Sequence, residues 1–322
     1  MEEKNTIFGK MIAYSKQDGN KNVILLITYL IIQTIIFGIA TPFFLTVSNF
    51  QNLMRQTAEL GMVTIPLAII LMTGNIDLSI GSVMGVCAIS LARFLKIGLN
   101  PVGAVFLAVC IGMFLGGING ILVAKFNLEG IVATLGMQVM LRGICYILTG
   151  GRPVSGLPKD FLAFSKIEVG GIPLSFIVML IIFSIAIFIM QKTTFGIKVH
   201  AIGYNARTST FSGINAKKIK FLLFTLSGAI AALASMFMLA RFASAESEFA
   251  NGYDTDTLTS LLIGGISIAG GSGNMIGAFL GFITIATLRN GLNHIGVSAI
   301  YQQFILGALI IAFAVNWKKK RD

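Results

Sequence analysis

Asn75, Asp77 and Ser79 alternate with apolar residues in GNIDLSIGS, Gly74–Ser82, inside an apolar run from Leu60 to Leu91. An amide, a carboxylate and a hydroxyl at this spacing suit two kinds of chemistry. They can bond backbone groups freed where a helix breaks, or they can hold a polar solute or a proton. A charged side chain at the centre of a bilayer costs roughly 2.5–3.5 kcal/mol even on the lenient insertion scale, so keeping one there implies a use. As a cap, Asp77 accepts backbone N–H bonds at the start of the following half-helix, where the dipole favours an anion. As a functional group it touches solute or carries protons. No other acid stands near it in the apolar blocks to build a relay, which favours the cap. Arg142 and Arg289 are candidate partners, and each is equally suited to snorkelling toward an interface.

The surrounding sequence has to hold these groups in a membrane. Of 322 residues, 55% are hydrophobic and 11% charged, with a mean hydropathy of +0.86, whereas soluble domains carry about 25% charged residues. The apolar residues come in long blocks rather than alternating ten-residue strands, so an all-α integral membrane protein is expected and not a barrel. The first twenty residues lack a short apolar core and a cleavage site, so no removable signal peptide is expected. The net charge of +11 falls in segments between the blocks and forms no aromatic-interleaved patch, which argues against a nucleic-acid partner.

Charge sets the expected topology. Residues 192–220 hold six basic residues (Lys192, Lys198, Arg207, Lys217, Lys218, Lys220) and no acid, so this loop is expected in the cytoplasm. Residues 242–257 hold Glu246, Glu248, Asp254 and Asp256 and no Lys or Arg, and are expected outside. The segment 1–22, with Lys4, Lys10, Lys16 and Lys21, and the tail 317–322 (WKKKRD) are expected inside. Clear blocks are 23–40, 101–123, 131–148, 174–190, 221–240 and 298–315. Parity between loops of assigned side requires 60–95 and 258–291 to cross twice each. The expectation is about ten transmembrane helices in a permease domain at 23–316, some short or broken, with both termini cytoplasmic.

Both crowded regions carry a glycine-rich interruption, GNIDLSIGSVMG (Gly74–Gly85) and GGISIAGGSGNMIG (Gly264–Gly277). Corresponding interruptions in two halves point to a transport pathway lined by broken helices, with Gly74, Gly81, Gly85, Gly265, Gly273 and Gly277 as the expected breaks. The competing reading is close helix packing by small residues. In the basic loop, NARTSTFSGI opens on a capping residue and closes on Ser-Gly, which predicts a helix of about two turns able to dock on a partner.

These stretches together resemble a known family. GNIDLSIGSVMG is similar to the GGIDLSVGS signature of the sugar-type permease subunits of bacterial ATP-binding cassette importers, the family that contains the ribose permease. TTFGIKVHAIGYNARTSTFSGINAKKIK resembles that family's cytoplasmic stretch, and IGGISIAGGSGNMIGAFLG and NGLNHIGVSAIYQQFILGAL its C-terminal motifs. The resemblance runs from about Phe50 to Val315 and departs at Asn75, where Gly is usual, and at Thr208–Phe211. It implies a location in the bacterial cell membrane, a second permease copy or homologue, two ATPase subunits on the cytoplasmic face, and an extracellular or periplasmic solute-binding protein delivering a monosaccharide-like ligand. It also implies that Gly196, Gly203, Asn205, Arg207, Ser212, Gly213 and Ile214 couple to the ATPase, with Gly203 and Gly213 allowing the tight turns that bound the helix. Asn75, Asp77, Ser79, Asn119, Gln138 and Gln303 become candidate pathway residues, because a neutral polyol needs hydrogen bonds without a deep well. Each can equally bond between helices.

No G-x-x-x-x-G-K-[ST] loop occurs, so no bound cofactor is expected and ATP belongs to a partner subunit. The alternative is a self-contained ion-coupled secondary transporter, which broken helices with an internal acid also suit. An intramembrane enzyme is disfavoured by the absence of G-x-S-x-G and H-E-x-x-H, and by a single deep acid. Cys87, Cys110 and Cys145 lack metal-type spacing and read as small core residues, and His200 and His294 are assigned no role.

Overall fold

A computed structural model describes residues 18–319. The basic residues up to Lys16 and the last three residues of the tail lie outside the described residues, and with them most of the charge expected to fix the termini. Thirteen helices form the described chain: α1 Asp18–Ala40, α2 Val47–Met72, α3 Ile80–Lys96, α4 Pro101–Ala124, α5 Gly130–Thr149, α6 Lys159–Ala163, α7 Leu174–Lys192, α8 Thr194–Tyr204, α9 Ala206–Phe211, α10 Ala216–Phe242, α11 Tyr253–Ile263, α12 Met275–His294 and α13 Ala299–Lys319. Two small antiparallel pairs interrupt the helical pattern. β1 (Val154–Ser155) pairs with β4 (Ser244–Ala245), and β2 (Glu168–Val169) pairs with β3 (Ile172–Pro173).

Among the described residues, α1, α2, α4, α5, α7, α10 and α12 are long and apolar enough to cross a membrane. Burial sorts them into a centre and a periphery. In α2, α12 and α10, 78%, 72% and 67% of the most apolar window is buried, against 17% in α1 and 28% in α5 and α7. The peripheral helices turn Ile36, Phe106, Phe114 and Phe188 outward, each more than half exposed, as a lipid-facing surface requires. Apolar exposure alone does not bring helices together in lipid, so close backbone approach has to. Gly112 and Gly116 lie one turn apart on α4, where a Cβ would run into the carbonyls of Gly228 and Phe224 on α10. Helix α10 also packs on α2 and α3 and is the hub of the bundle.

Two expectations about the crowded regions are corrected. The helix through Leu60 already begins at Val47, where Thr46 caps it by accepting the Asn49 N–H at 3.3 Å. Its first three turns are polar enough to look like loop, so 60–95 is less cramped than its apolar residues suggest. In 258–291 the first piece is an 11-residue helix opening at Tyr253, not a full span. The expected external loop 242–257 is therefore shorter. Asp254 and Asp256 stand inside α11, each 7% exposed, and are not solvated loop charges.

Candidate functional site at the two helix breaks

The break after α2 has a defined cause. Thr73 ends the helix, Gly74 takes a left-handed backbone (φ 77°), and two bonds close the end: Gly74 N–H to Leu71 O at 2.9 Å and Asn75 N–H to Ile70 O at 3.3 Å. That pattern fits a glycine one past the cap, since a Cβ is costly at positive φ. Beyond it the chain has no regular structure as far as Ser79, and its freed backbone groups are met by side chains. The Leu78 N–H donates to Thr134 Oγ1 of α5 at 3.0 Å, and that hydroxyl lies 3.1 Å from Ile76 O. Asn75 turns back, its Nδ2 donating to Thr73 Oγ1 at 3.0 Å.

Asp77 sits midway along this segment, 4% exposed. Its Oδ1 accepts the Ser79 N–H at 3.0 Å and the Ser79 hydroxyl at 2.6 Å, and its Oδ2 accepts the Ser227 hydroxyl of α10 at 3.2 Å. Ser79 Oγ accepts in turn from Asn119 Nδ2 of α4 at 2.7 Å. Ser79 is itself the N-cap of α3 and makes no side-chain cap bond, so the carboxylate bonds the cap residue rather than the N–H groups of the first turn. Three of the expected pathway residues, Asp77, Ser79 and Asn119, thus form one buried cluster joining three helices. Gln138 lies apart, donating to Asp254 Oδ2 at 3.1 Å. Gln303 is exposed on α13, while its neighbour Gln302 is the buried one, bonded to Asn293 Oδ1 at 2.7 Å. Neither arginine proposed for Asp77 reaches it. Arg142 donates to the carbonyls of Ser247 and Phe249, and Arg289 pairs with Asp256.

The second break repeats the first. Helix α11 ends at Gly264, Gly265 is left-handed (φ 82°), and Gly265 N–H and Ile266 N–H close onto Leu262 O and Leu261 O at 3.0 Å each. Asn274 then caps α12, accepting the Ile276 N–H at 2.9 Å. Gly273, with φ 152°, lies in the break. Gly81, Gly85 and Gly277 do not, which corrects their expected role: they sit within the first two turns of α3 and the first turn of α12 and permit contact. A Cβ on Gly81 would stand 2.6 Å from Ala250 O, one on Gly85 3.2 Å from Phe249 O, and one on Gly277 would strike Gly264 O. The starts of α3 and α11 are therefore neighbours, with Asp77 ahead of one and Asp254 in the other, against the expectation of no nearby acid.

The basic segment folds against both breaks. Thr193 caps α8, accepting the Phe195 N–H at 3.2 Å, and Gly196 lets α8 turn back tightly on the Met190 carbonyl. Gly203 is inside α8, against the expected turn, and a Cβ on it would collide with Met72 O and Gly271 N. Gly271 N–H donates to Met72 O at 2.9 Å, and His200 Nδ1 lies 3.0 Å from Gly271 O. Asn205 ends α8 and caps α9, its Oδ1 accepting the Thr208 N–H at 3.0 Å. Helix α9 closes at Ser212, with Gly213 left-handed (φ 82°) and Ile214 N–H on Ser209 O at 3.0 Å. Arg207 and Phe211 point outward, Phe211 91% exposed.

A cavity of about 380 Å³ opens beside this junction, lined among others by Gly74, Asn75, Ile76, Ile268, Glu129 and Lys220. Both breaks reach it, and Asn75 is the expected pathway residue in its wall. Sequence reasoning missed a buried ion pair: Glu59 of α2, 1% exposed, takes Arg241 of α10 through two bonds of 2.8 and 2.7 Å. The Tyr253 hydroxyl at the start of α11 adds a third at 3.3 Å. Glu59 was readable as an acid twelve residues past the start of an unrecognised helix. His294, given no role, bonds Asn49 Oδ1 at 2.8 Å beside reciprocal Asn49–Asn290 amide bonds of 2.9 Å.

Residues 49–314 match the family described as branched-chain amino acid transport system / permease component. The chain is 35% identical to the ribose import permease protein of Bacillus subtilis, over 90% of this chain and 91% of that one. It is 33% identical to the D-allose transport system permease protein of Escherichia coli, over 86% of each. With the autoinducer 2 import system permease protein of Yersinia pseudotuberculosis the identity is 30%, over 87% of this chain and 80% of the other. No solved structure shows a significant match.

Proposed function

This chain belongs to the permease family described as branched-chain amino acid transport system / permease component, alongside the ribose import permeases, and from that premise we propose that it forms the translocation pathway of an ATP-binding cassette importer for a monosaccharide such as ribose. It is a multi-pass protein of the bacterial cell membrane, a transport component and not an enzyme. In this reading the seven long helices, α3, α13 and the short α11 continued by its break make ten crossings with both termini in the cytoplasm, where the basic segment α8–α9 meets two ATPase subunits. A second permease copy or homologue completes the pathway. A solute-binding protein delivers the sugar outside, where Glu246 and Glu248 remain exposed.

The observation that carries the reading is the meeting of Gly74, Gly203 and Gly270. A Cβ on Gly270 would lie 2.6 Å from Gly74 N and 3.2 Å from Gly203 Cα, so α8 meets both breaks at close backbone contact. Backbone contacts have no rotamer slack, so displacement of α8–α9 by closing ATPase subunits shifts both breaks together, as rigid-body switching requires. The cavity beside them is then the inner mouth. Its Asn75 side-chain oxygen offers a sugar hydroxyl an acceptor, the amide nitrogen being engaged by Thr73, while the Asp77 cluster holds the unwound chain in shape rather than meeting solute.

The test is reconstitution. In liposomes the purified chain alone is expected to move no sugar, and uptake should appear only with its ATPase, its binding protein and ATP. Uptake by the chain alone down an ion gradient would overturn the assignment in favour of a secondary carrier.

A further inference from the structure

We propose that the cleft between the end of α4, helix α9 and the first turn of α10 holds a phosphate-bearing anion, the headgroup of an acidic phospholipid. The cleft measures about 400 Å³ and is lined by Arg207, Lys217 and Lys220, together with Asn127, Thr210 and Phe211 but with no acidic side chain. Among the described residues, the ion pairs join Arg55 to Glu168, Arg241 to Glu59 and Arg289 to Asp256, so these three cations have no counter-charge. Lys217 and Lys220 stand three apart in the first turn of α10 and share a face. Lys220 is partly buried, a position unfavourable for an unpaired ammonium and favourable once an anion enters. Glu129 and Lys220 line the adjoining cavity without forming an ion pair.

The rim decides between lipid and free phosphate. Phe126 is 64% exposed, Ile121 41% and Phe221 40%, and they continue onto the outward faces of α4 and α10. Acyl chains cover such a rim, and free phosphate leaves it in water. Basic pockets between transmembrane helices on the cytoplasmic side recognise anionic headgroups through this combination. The proposal goes beyond the transport reading and needs only that the chain sits in a bilayer.

The experiment compares the full chain in phosphatidylcholine discs with and without phosphatidylglycerol, counting retained lipid by native mass spectrometry after detergent exchange. The wild type should retain phosphatidylglycerol over phosphatidylcholine. A variant combining Arg207→Gln, Lys217→Gln and Lys220→Gln should lose this by roughly fivefold per cation removed. A control with the same charge loss elsewhere, Lys96→Gln with Lys159→Gln and Lys166→Gln, should retain it. If the triple variant does not fold, Lys220→Gln alone is read in the same assay. Equal retention of both lipids by the wild type, or equal retention by variant and control, overturns the proposal. So does inorganic phosphate that stabilises the chain in phosphatidylcholine as well as phosphatidylglycerol does, which assigns the cleft to free phosphate. An effect of the triple variant on ATPase binding alone, with lipid retention unchanged, makes these cations a protein contact and also overturns it.

Discussion

Gly270 rests its backbone on that of Gly74, close enough that a Cβ on Gly270 would stand 2.6 Å from the Gly74 nitrogen. The two residues belong to different helix breaks nearly two hundred positions apart, and Gly203 closes the same contact from the side. A Cβ on Gly203 or Gly270 would collide with backbone there, while at Gly74 it is the left-handed φ of 77° that favours glycine.

Substitution at this junction should therefore separate from substitution at the nearby turn. Gly203→Val drives side-chain atoms into Met72 O and Gly271 N, and we expect a loss of about 1–3 kcal/mol in stability together with ATP turnover uncoupled from sugar uptake. Gly213 has nothing within 4 Å of its Cβ position but a φ of 82°, so Gly213→Ala should cost only about 1–2 kcal/mol, and Gly213→Asn less. Thermal melts beside uptake and ATPase assays of the reconstituted complex check both. Coupled transport by Gly203→Val at wild-type rates would remove the junction from the mechanism.

Asp77 receives three hydrogen bonds from Ser79 and Ser227. Asp77→Ala leaves those buried donors unpaired, each at about 1–3 kcal/mol, and should abolish or severely lower the folded yield. Asp77→Asn keeps one acceptor oxygen and should recover part of it, while Ser227→Ala should cost about 1 kcal/mol. Melting curves in one detergent rank the three. An unchanged melt for Asp77→Ala would show that the cluster carries no structural weight.

Glu59 and Arg241 tie α2 to α10 where α11 begins, through two bonds in a buried site. Removing either charge alone, by Glu59→Gln or Arg241→Gln, should cost about 3–5 kcal/mol because the other is left uncompensated. The double variant should cost clearly less than the two added together. Additive losses in the cycle would mean that the pair is not coupled.

Phe211, 91% exposed at the end of α9, makes little contact within the chain. If α9 docks on an ATPase, Phe211→Ala should weaken the complex by about 2 kcal/mol, the size expected of an aromatic anchor, while leaving the melt of the isolated chain unchanged. Titration of the ATPase onto the reconstituted permease measures it, and an unaltered affinity would move the contact elsewhere.

The outward face of this protein was legible in its residues because lipid imposes a simple rule. Blocks such as 101–123 and 174–190 must be helices, since nothing else satisfies their backbone in hydrocarbon, and the structure has helices there. Gly74 and Gly265 were legible as interruptions because a left-handed residue that ends a helix is usually glycine. Gly81, Gly85 and Gly277 shared the same spacing and were misread, because a glycine in a sequence does not say whether it frees its own backbone or admits another chain's carbonyl.

Charge showed the limits of local reading more sharply. Asp254 and Asp256 looked like solvated acids of an outer loop, yet they are buried in α11 against Gln138 and Arg289. Glu59 went unnoticed because its partner Arg241 is 182 positions away. By itself the sequence determined the medium, the helices and the places where helices end, for these follow from hydropathy and from the backbone freedom of single residues. Only the tertiary structure decided which polar groups meet and which glycines touch, because desolvation is satisfied by whatever partner the packed chain brings near, at any distance along it.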